Sequence, residues 1–239
     1  MLHTDAEREF SRLLELLGEV AELPGRFLCA DITMNAVAIE HSDVHESLNR
    51  NAEFWALASN GLHTCVFVTL HRLLDHASAG NVYAVLNCAR SNPEMFSRSA
   101  LAARRGGPGA EAAQWAADAH EATVDDFKRL ESEISHRRQV YDRVYRPIRG
   151  KILAHRVFVG ADESERYAAT RIDELLTLCS FFPAFYDAMF HWFHNGGEAT
   201  LRPTLAAIDA ARRVVAGTPA QQAVVTHTQR VMESLRKNR

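Results

Sequence analysis

The spacing of apolar residues most constrains this fold, because it follows the period of an α-helix along nearly the whole chain. Near the N-terminus one such set of positions is Phe10, Leu13, Leu14, Leu17, Val20 and Leu23. Thr4 has a side chain suited to capping this helix, and Pro24-Gly25 is expected to end it. Signals typical of β-strands are nearly absent. The pattern predicts an all-α protein, a helical bundle with short connections.

Further helices are expected between a few clear breaks in the pattern. A second helix is predicted at residues 27–40, and a third begins at Asn49 or Asn51. This third helix is apolar over a wide arc, which predicts burial on several sides. Two more helical segments are expected at the C-terminal end, at residues 203–216 and 219–237.

Length and composition place the chain among ordinary globular proteins. We expect a helical bundle at residues 1–195 and a C-terminal helical extension at residues 196–239, which packs on the bundle or on a partner. A chain of 239 residues, 47% hydrophobic and 24% charged, can bury a substantial core. No apolar stretch reaches the roughly 18 residues of a membrane span, and the N-terminus lacks a signal-peptide layout. A cytoplasmic protein without membrane contact is expected.

Cysteine and histidine spacing bears on metal binding. The four cysteines form no CxxC pair and sit among apolar residues, which predicts small buried side chains in a reducing compartment. The pairs His41/His45 and His191/His194 have the spacing of one helix face, so a helical metal-binding protein is one alternative. Such a site needs a further ligand from another helix, and the chain has no HExxH motif. We expect no metal.

The most basic window of the chain lies at residues 137–156. Against one acid, Asp142, it holds seven basic residues: Arg137, Arg138, Arg143, Arg146, Arg149, Lys151 and Arg156. The net charge of −3 gives the whole molecule no attraction to nucleic acid, so any attraction is local. Within the window, Arg149 and His155 stand close in sequence. Arginine is a permanent cation suited to phosphate and histidine exchanges a proton near neutral pH, so the pair could hold a phosphodiester and move a proton at it.

This window carries a resemblance to a known family. The stretch Arg146-Pro-Ile-Arg-Gly-Lys-Ile-Leu-Ala-His-Arg156 resembles the signature of HEPN-superfamily proteins, in which an arginine precedes a histidine by a handful of residues. Its second half, together with the third helix from Phe54-Trp55 to Asp75, is similar to the AbiU-type abortive-infection branch. The resemblance covers residues 7–193.

The resemblance implies a fold and an activity. The fold would be a HEPN-like up-and-down helical bundle with additional C-terminal helices, forming a homodimer in which two copies of the motif face each other in a cleft. The activity would be metal-independent endoribonuclease cleavage, in phage defence or a toxin–antitoxin setting, without a cofactor. Its partners would be RNA, a second copy of the chain and an antitoxin protein. Arg149 and His155 match the catalytic pair of the motif.

The chemistry of such a site can be written for these residues. The ribose 2′-OH attacks the adjacent phosphorus, with His155 as base or acid and Arg149 holding the phosphate. Arg146, Lys151 and Arg156 are candidates for binding flanking phosphates. On a regular helix Arg149 and His155 would lie about 120° apart around the axis. A local break or the second subunit must therefore bring them together, and a two-fold axis does so most simply.

Two other interpretations of the motif remain open. Gly150 stands where many active HEPN members have a polar residue, so a catalytically inactive module that binds RNA, a nucleotide or a protein partner is the main alternative. The arginines could also be surface residues that pair with the acids at residues 125–133.

The aromatic stripe at residues 181–193 is expected to pack in a core or at a subunit interface.

Overall fold

The computed structural model describes residues 4–106, 109–148, 170–209 and 211–236. In these ranges the chain is helical and contains no β-strand, only one isolated antiparallel bridge between Ile208 and Val214. The prediction of an all-α fold is confirmed. None of the helices within the described ranges has the combined length and apolar character that crossing a membrane requires.

Through the first 140 residues the helices follow one another through short connections. The α-helices of the described ranges are α1 (Asp5–Ala21), α2 (Leu23–Glu40), α3 (Ser42–Arg50), α4 (Ala52–Leu74), α5 (Val82–Ser91), α6 (Arg98–Arg105), α7 (Ala110–Ala116), α8 (Val124–Val140), α9 (Ile172–Asn195) and α10 (Pro219–Ser234). A 3-10 helix (Pro93–Phe96) precedes α6, and a π-helix (Tyr141–Tyr145) follows α8.

The chain divides into two compact units that each draw on separate stretches of sequence. The first unit comprises Met1–Ala21, Arg72–Tyr141 and Phe181–Pro203. The second unit comprises Glu22–His71, Asp142–Ser180 and Thr204–Arg239. The predicted division into residues 1–195 and 196–239 stays a prediction.

An aromatic cluster forms the core of the first unit. Phe10 of α1 contacts Phe96 edge-on, with ring centroids 5.5 Å apart, and lies 4.8 Å from the ring of Phe193. Trp192 lies 4.4 Å from Phe96 and 5.4 Å from Phe127, and its indole is buried. Trp192 and Phe193, at the C-terminal end of the aromatic stripe in α9, therefore pack in a core, as expected.

The C-terminal helix belongs to the second unit, where α10 packs against α2. Thr218 caps α10, accepting a hydrogen bond from the Gln221 amide, and the Gln221 side chain caps it in return. The cap is tied to α2 because the Thr218 hydroxyl donates to Glu22 at 2.9 Å. A buried apolar cluster completes this contact, made of Met34, Val37, Ala38, Val44 and Met232.

Two helix assignments from the sequence are wrong. Pro24 does not end the first helix; it lies in the first turn of α2, where a residue without an amide hydrogen is tolerated. The described residues 203–209 and 211–216 do not form a helix. There the Asp209 carboxylate accepts the Arg213 amide at 2.9 Å, and the Asp209 amide donates to the Arg213 carbonyl at 2.9 Å. These local bonds favour a turn over a helix.

The long helix α4 departs from a third expectation, burial on several sides. Phe54, Leu57 and Val68 are exposed along one face, although Val66 and Leu70 on the opposite face are fully buried. The same exposed face carries Cys65, which contradicts the expectation that the cysteines are buried. Two of the other cysteines, Cys29 and Cys179, are buried as expected.

Candidate functional site

The predicted catalytic pair lies outside the part of the chain that the structure describes. This is true of Arg149 and His155, and also of Lys151 and Arg156. Arg146 is the only predicted site residue within the described ranges. The structure therefore defines how the chain approaches the motif, up to Ile148.

The approach to the motif is anchored by buried side chains. Tyr145, the last residue of the π-helix, is fully buried and stacks on Phe67 with ring centroids 6.0 Å apart. Its hydroxyl lies 3.4 Å from both the Arg171 carbonyl and the Glu174 carboxylate. Burial and the neighbouring Glu174 charge raise the pKa of Tyr145, which keeps the hydroxyl neutral. Ile148 is fully buried as well, so the residue immediately before Arg149 is held in place.

The π-helix has a cause in the sequence. Pro147 has no amide hydrogen to offer the carbonyl of Arg143 one turn earlier, and its ring would crowd that carbonyl in a regular α-helix. The wider turn at Tyr141–Tyr145 lies where this conflict arises. Such turns occur often at functional sites.

The basic residues of the window that lie in the described ranges all have partners. Arg137 pairs with Glu133 at 3.4 Å, and the Arg138 guanidinium donates to the Leu74 carbonyl. Arg143 pairs with Glu174 at 2.9 Å.

Arg146 is the described site residue that is open to an incoming ligand. Its side chain is 57% exposed, and among the residues that the structure describes its ion pair is with Asp142, at 3.4 Å. An exposed pair of this kind contributes about 0–1 kcal/mol, so a phosphate could replace Asp142 at little cost.

A second polar cluster, which the sequence did not single out, lies between α2 and α4 in the second unit. The carboxylate of Asp31 accepts hydrogen bonds from Ser59 Oγ at 2.6 Å and from His63 Nε2 at 2.9 Å. Asn35 Nδ2 adds a longer contact of 3.3 Å to the same carboxylate. Asp31 is 7% exposed, whereas His63 is 39% exposed, so the carboxylate is buried and the imidazole reaches the surface.

This cluster has the geometry of an oriented histidine. The hydrogen bond from His63 to Asp31 raises the pKa of the imidazole, against the opposing effect of partial burial. A half-exposed imidazole held by a buried carboxylate could act as an acid or a base. Ser59 donates to the carboxylate and not to the imidazole, so His63 does not activate it as a nucleophile.

The sequence contained weak signals for this cluster. Asp31 interrupts an otherwise apolar stretch of α2, and Ser59 and His63 are four residues apart on α4. Nothing in one sequence indicates that these two helix faces meet, because that contact is a property of tertiary packing.

Of the histidine pairs considered for metal binding, His191 and His194 contact neighbours in their own helix. His191 Nδ1 accepts a hydrogen bond from the Asn195 side chain at 2.8 Å, and the His194 ring lies 4.4 Å from Phe190. His41 separates α2 from α3. Over the ranges the structure describes, no group of three or more His, Cys, Asp or Glu side chains could hold a metal ion.

Comparison with known proteins adds no assignment, since no family model, curated protein or solved structure matches the chain.

Proposed function

We propose that this chain is a metal-independent endoribonuclease of the HEPN type, acting in the cytoplasm in phage defence or a toxin–antitoxin system. The observation that carries the proposal is the motif of Arg149 and His155 at the end of the most basic window in an all-helical chain. Arg149 would hold the scissile phosphate, and His155 would take or give the proton at the ribose.

The anchoring of the preceding residues supports this role. A catalytic group must be held in a defined position, and positions next to packed residues are held better than positions in a free loop. Buried Tyr145 and Ile148 fix the chain directly before Arg149. The π-helix that ends at Tyr145 lies before the motif and does not change the angle of about 120° between its two residues, so a second copy of the chain would bring them together.

Arg146 supports a role in phosphate binding. Its guanidinium is exposed and held by one weak surface ion pair with Asp142. We propose that it contacts a phosphate next to the cleaved one, with Lys151 and Arg156 along the same strand of RNA. Such contacts do not depend on the RNA sequence and weaken as the salt concentration rises.

The exposed apolar face of α4 supports a homodimer. Phe54 and Leu57 present large apolar side chains to solvent. A second copy of the chain would offer the same face, as a two-fold interface requires. A two-fold axis would also double the basic window and complete a cleft for RNA. An antitoxin protein is proposed as a further partner.

The second candidate is a catalytically inactive HEPN-like module that binds RNA, a nucleotide or a protein. The observation that favours it is Gly150, which stands in place of the polar residue that follows the arginine in many active members. Such a module would use the same basic window to bind but would not cleave.

The test is to incubate single-stranded RNA with the pure protein in EDTA. Cleavage that persists in EDTA and is lost in His155→Ala and in Arg149→Ala supports the endoribonuclease. His136→Ala is the matched control, since His136 is exposed on α8 close to the basic window and outside the motif. Both motif variants should keep the thermal stability of the parent.

Each other outcome points elsewhere. Binding without cleavage supports the inactive module, and cleavage that needs a metal ion contradicts the proposed mechanism. Equal loss of cleavage in His136→Ala and His155→Ala would indicate a general effect of charge and not a catalytic histidine.

A further inference from the structure

A second site for a ligand lies in the second unit, away from the motif in sequence. It is a cavity of about 750 Å³, within the range of small-molecule sites. One wall is a face of α2, and the others come from the start of α9 and from the turn between residues 207 and 215. Its described lining residues are Asp31, Ile32, Asn35, Ala36, Ile39, Arg171, Ile172, Asp173, Ile208 and Arg212.

The body of this cavity is apolar. Four isoleucines line it, out of seven in the chain: Ile32, Ile39, Ile172 and Ile208. Two of these are open to water, with Ile39 69% and Ile172 52% exposed. Large exposed apolar side chains gathered at a concave surface indicate a place where an apolar ligand would displace water.

The charges around the cavity are matched except at one point. The Asp31 carboxylate accepts hydrogen bonds from Ser59 and His63. Arg171 and Asp173 bind each other through two contacts, of 3.2 Å and 2.6 Å. The guanidinium of Arg212 makes no hydrogen bond or ion pair with any residue in the described part of the chain. Arg212 is therefore the group that would select the polar end of a ligand.

The backbone holds Arg212 in an unusual position. Arg212 has a φ of 60°, in the left-handed region that favours glycine, and its amide donates to the Asp209 carbonyl at 2.9 Å. The isolated antiparallel bridge between Ile208 and Val214 closes the turn. An ion pair between Arg213 and Glu40 fastens the turn to the C-terminal end of α2. The turn thus presents one arginine at the cavity while using its neighbour as an anchor.

We propose that this cavity binds a small organic anion, with an apolar body against the four isoleucines and an anionic head group on Arg212. An alkyl or aryl carboxylate has this chemistry, and an alkyl phosphate shares it. The proposal uses no residue of the RNA-cleaving motif, so it stands or falls separately from the proposed function.

Methyl NMR is the direct test, because the isoleucines report on the site. The full chain, labelled at the isoleucine δ1-methyl groups, is titrated with octanoate. We expect saturable shifts at Ile32, Ile39, Ile172 and Ile208. Fully buried Ile134 and Ile148 do not line the cavity and serve as internal controls. Octan-1-ol, which has the same chain without the charge, tests the head group, and octyl phosphate tests whether the head must be a carboxylate.

Three variants separate the parts of the site. Arg212→Gly removes the charge and suits the φ of 60°, so the protein should fold while its affinity for octanoate falls about tenfold, as expected for losing a hydrogen-bonded charge. Ile39→Glu should abolish octanoate binding. Val231→Glu is the matched control, since Val231 is 56% exposed, on a helix of the same unit, and outside the cavity.

The outcomes decide the proposal in either direction. Shifts confined to the four cavity isoleucines, weaker binding of octan-1-ol and loss of affinity in Arg212→Gly support it. Equal affinity for octanoate and octan-1-ol, unchanged affinity in Arg212→Gly, or loss of binding in Val231→Glu with none in Ile39→Glu would overturn it. Failure of octanoate to shift any of the four methyl groups would do the same.

Discussion

The buried ion pair between Glu7 and Arg104 in the first unit allows a precise test of what holds this unit together. Both side chains are 7% exposed. Arg104 also donates to the carbonyls of Met95 and Phe193, each at 2.8 Å, and its guanidinium lies 4.1 Å above the Phe193 ring. Substitution Arg104→Met keeps most of the volume of the side chain and removes its charge together with these hydrogen bonds.

The expected loss of stability follows from the Glu7 charge that remains buried after the substitution. Removing one partner of a buried pair leaves the other charge without compensation, at a cost of about 3–5 kcal/mol in the free energy of unfolding. The neighbouring Arg105 provides the matched control. It too lies over an aromatic ring, Trp115 at 4.2 Å, and donates to Asn195 at 2.7 Å, but it is exposed. Arg105→Met should cost only about 0–1 kcal/mol.

Urea unfolding at neutral pH, followed by far-UV circular dichroism and tryptophan fluorescence, measures both losses. The double variant Glu7→Gln/Arg104→Met should be more stable than Arg104→Met alone, because it leaves no buried charge. Equal losses in Arg104→Met and Arg105→Met would refute the reasoning. So would a double variant less stable than the single one.

Three further predictions concern the remaining features. The hydrogen bond to Asp31 raises the pKa of His63 in the folded state, so the stabilisation by this bond is full below the unfolded-state pKa and is lost as pH rises through the folded-state pKa. The loss of stability in His63→Gln should therefore be larger at about pH 5.5 than at about pH 8.5. A loss that does not depend on pH would contradict this. Gly196 has a φ of 67°, and an added Cβ would lie 2.5 Å from Leu101, so Gly196→Ala should lower the free energy of unfolding by about 2–4 kcal/mol. Gly197→Ala is the control, because the nearest atom to its added Cβ is 4.0 Å away, and it should cost about 1 kcal/mol or less in the same urea assay. Arg146→Ala should leave the melting temperature almost unchanged and reduce the salt dependence of RNA binding by about one phosphate contact, and an unchanged salt slope would exclude it from the RNA site.

Local signals predicted much of the fold. Helical periodicity depends on neighbouring residues, so the existence of α1 and the start of α10 could be predicted from the sequence. Thr218 before Pro219 marks the start of α10, and Thr123 opens α8 through a capping box with Asp126. Each of these signals depends only on groups within one turn of the chain.

Features that depend on tertiary contacts could not be predicted in this way. The turn that presents Arg212 forms in place of the predicted helix because the Asp209 carboxylate accepts a hydrogen bond from the Arg213 amide. Composition and periodicity do not reveal that contact. The site of Asp31 and His63 exists only because two helices pack face to face. The exposed face of α4 shows the converse, since apolar periodicity predicts an apolar surface and does not say what covers it.

The most direct test of the central claim is the chemistry of the ends produced on RNA. Attack by the 2′-OH expels the 5′-oxygen, so cleavage in EDTA should leave a 2′,3′-cyclic phosphate and a 5′-hydroxyl. A strand with 2′-O-methyl groups should resist cleavage. Products with 3′-hydroxyl and 5′-phosphate ends, or cleavage of the methylated strand, would contradict the account.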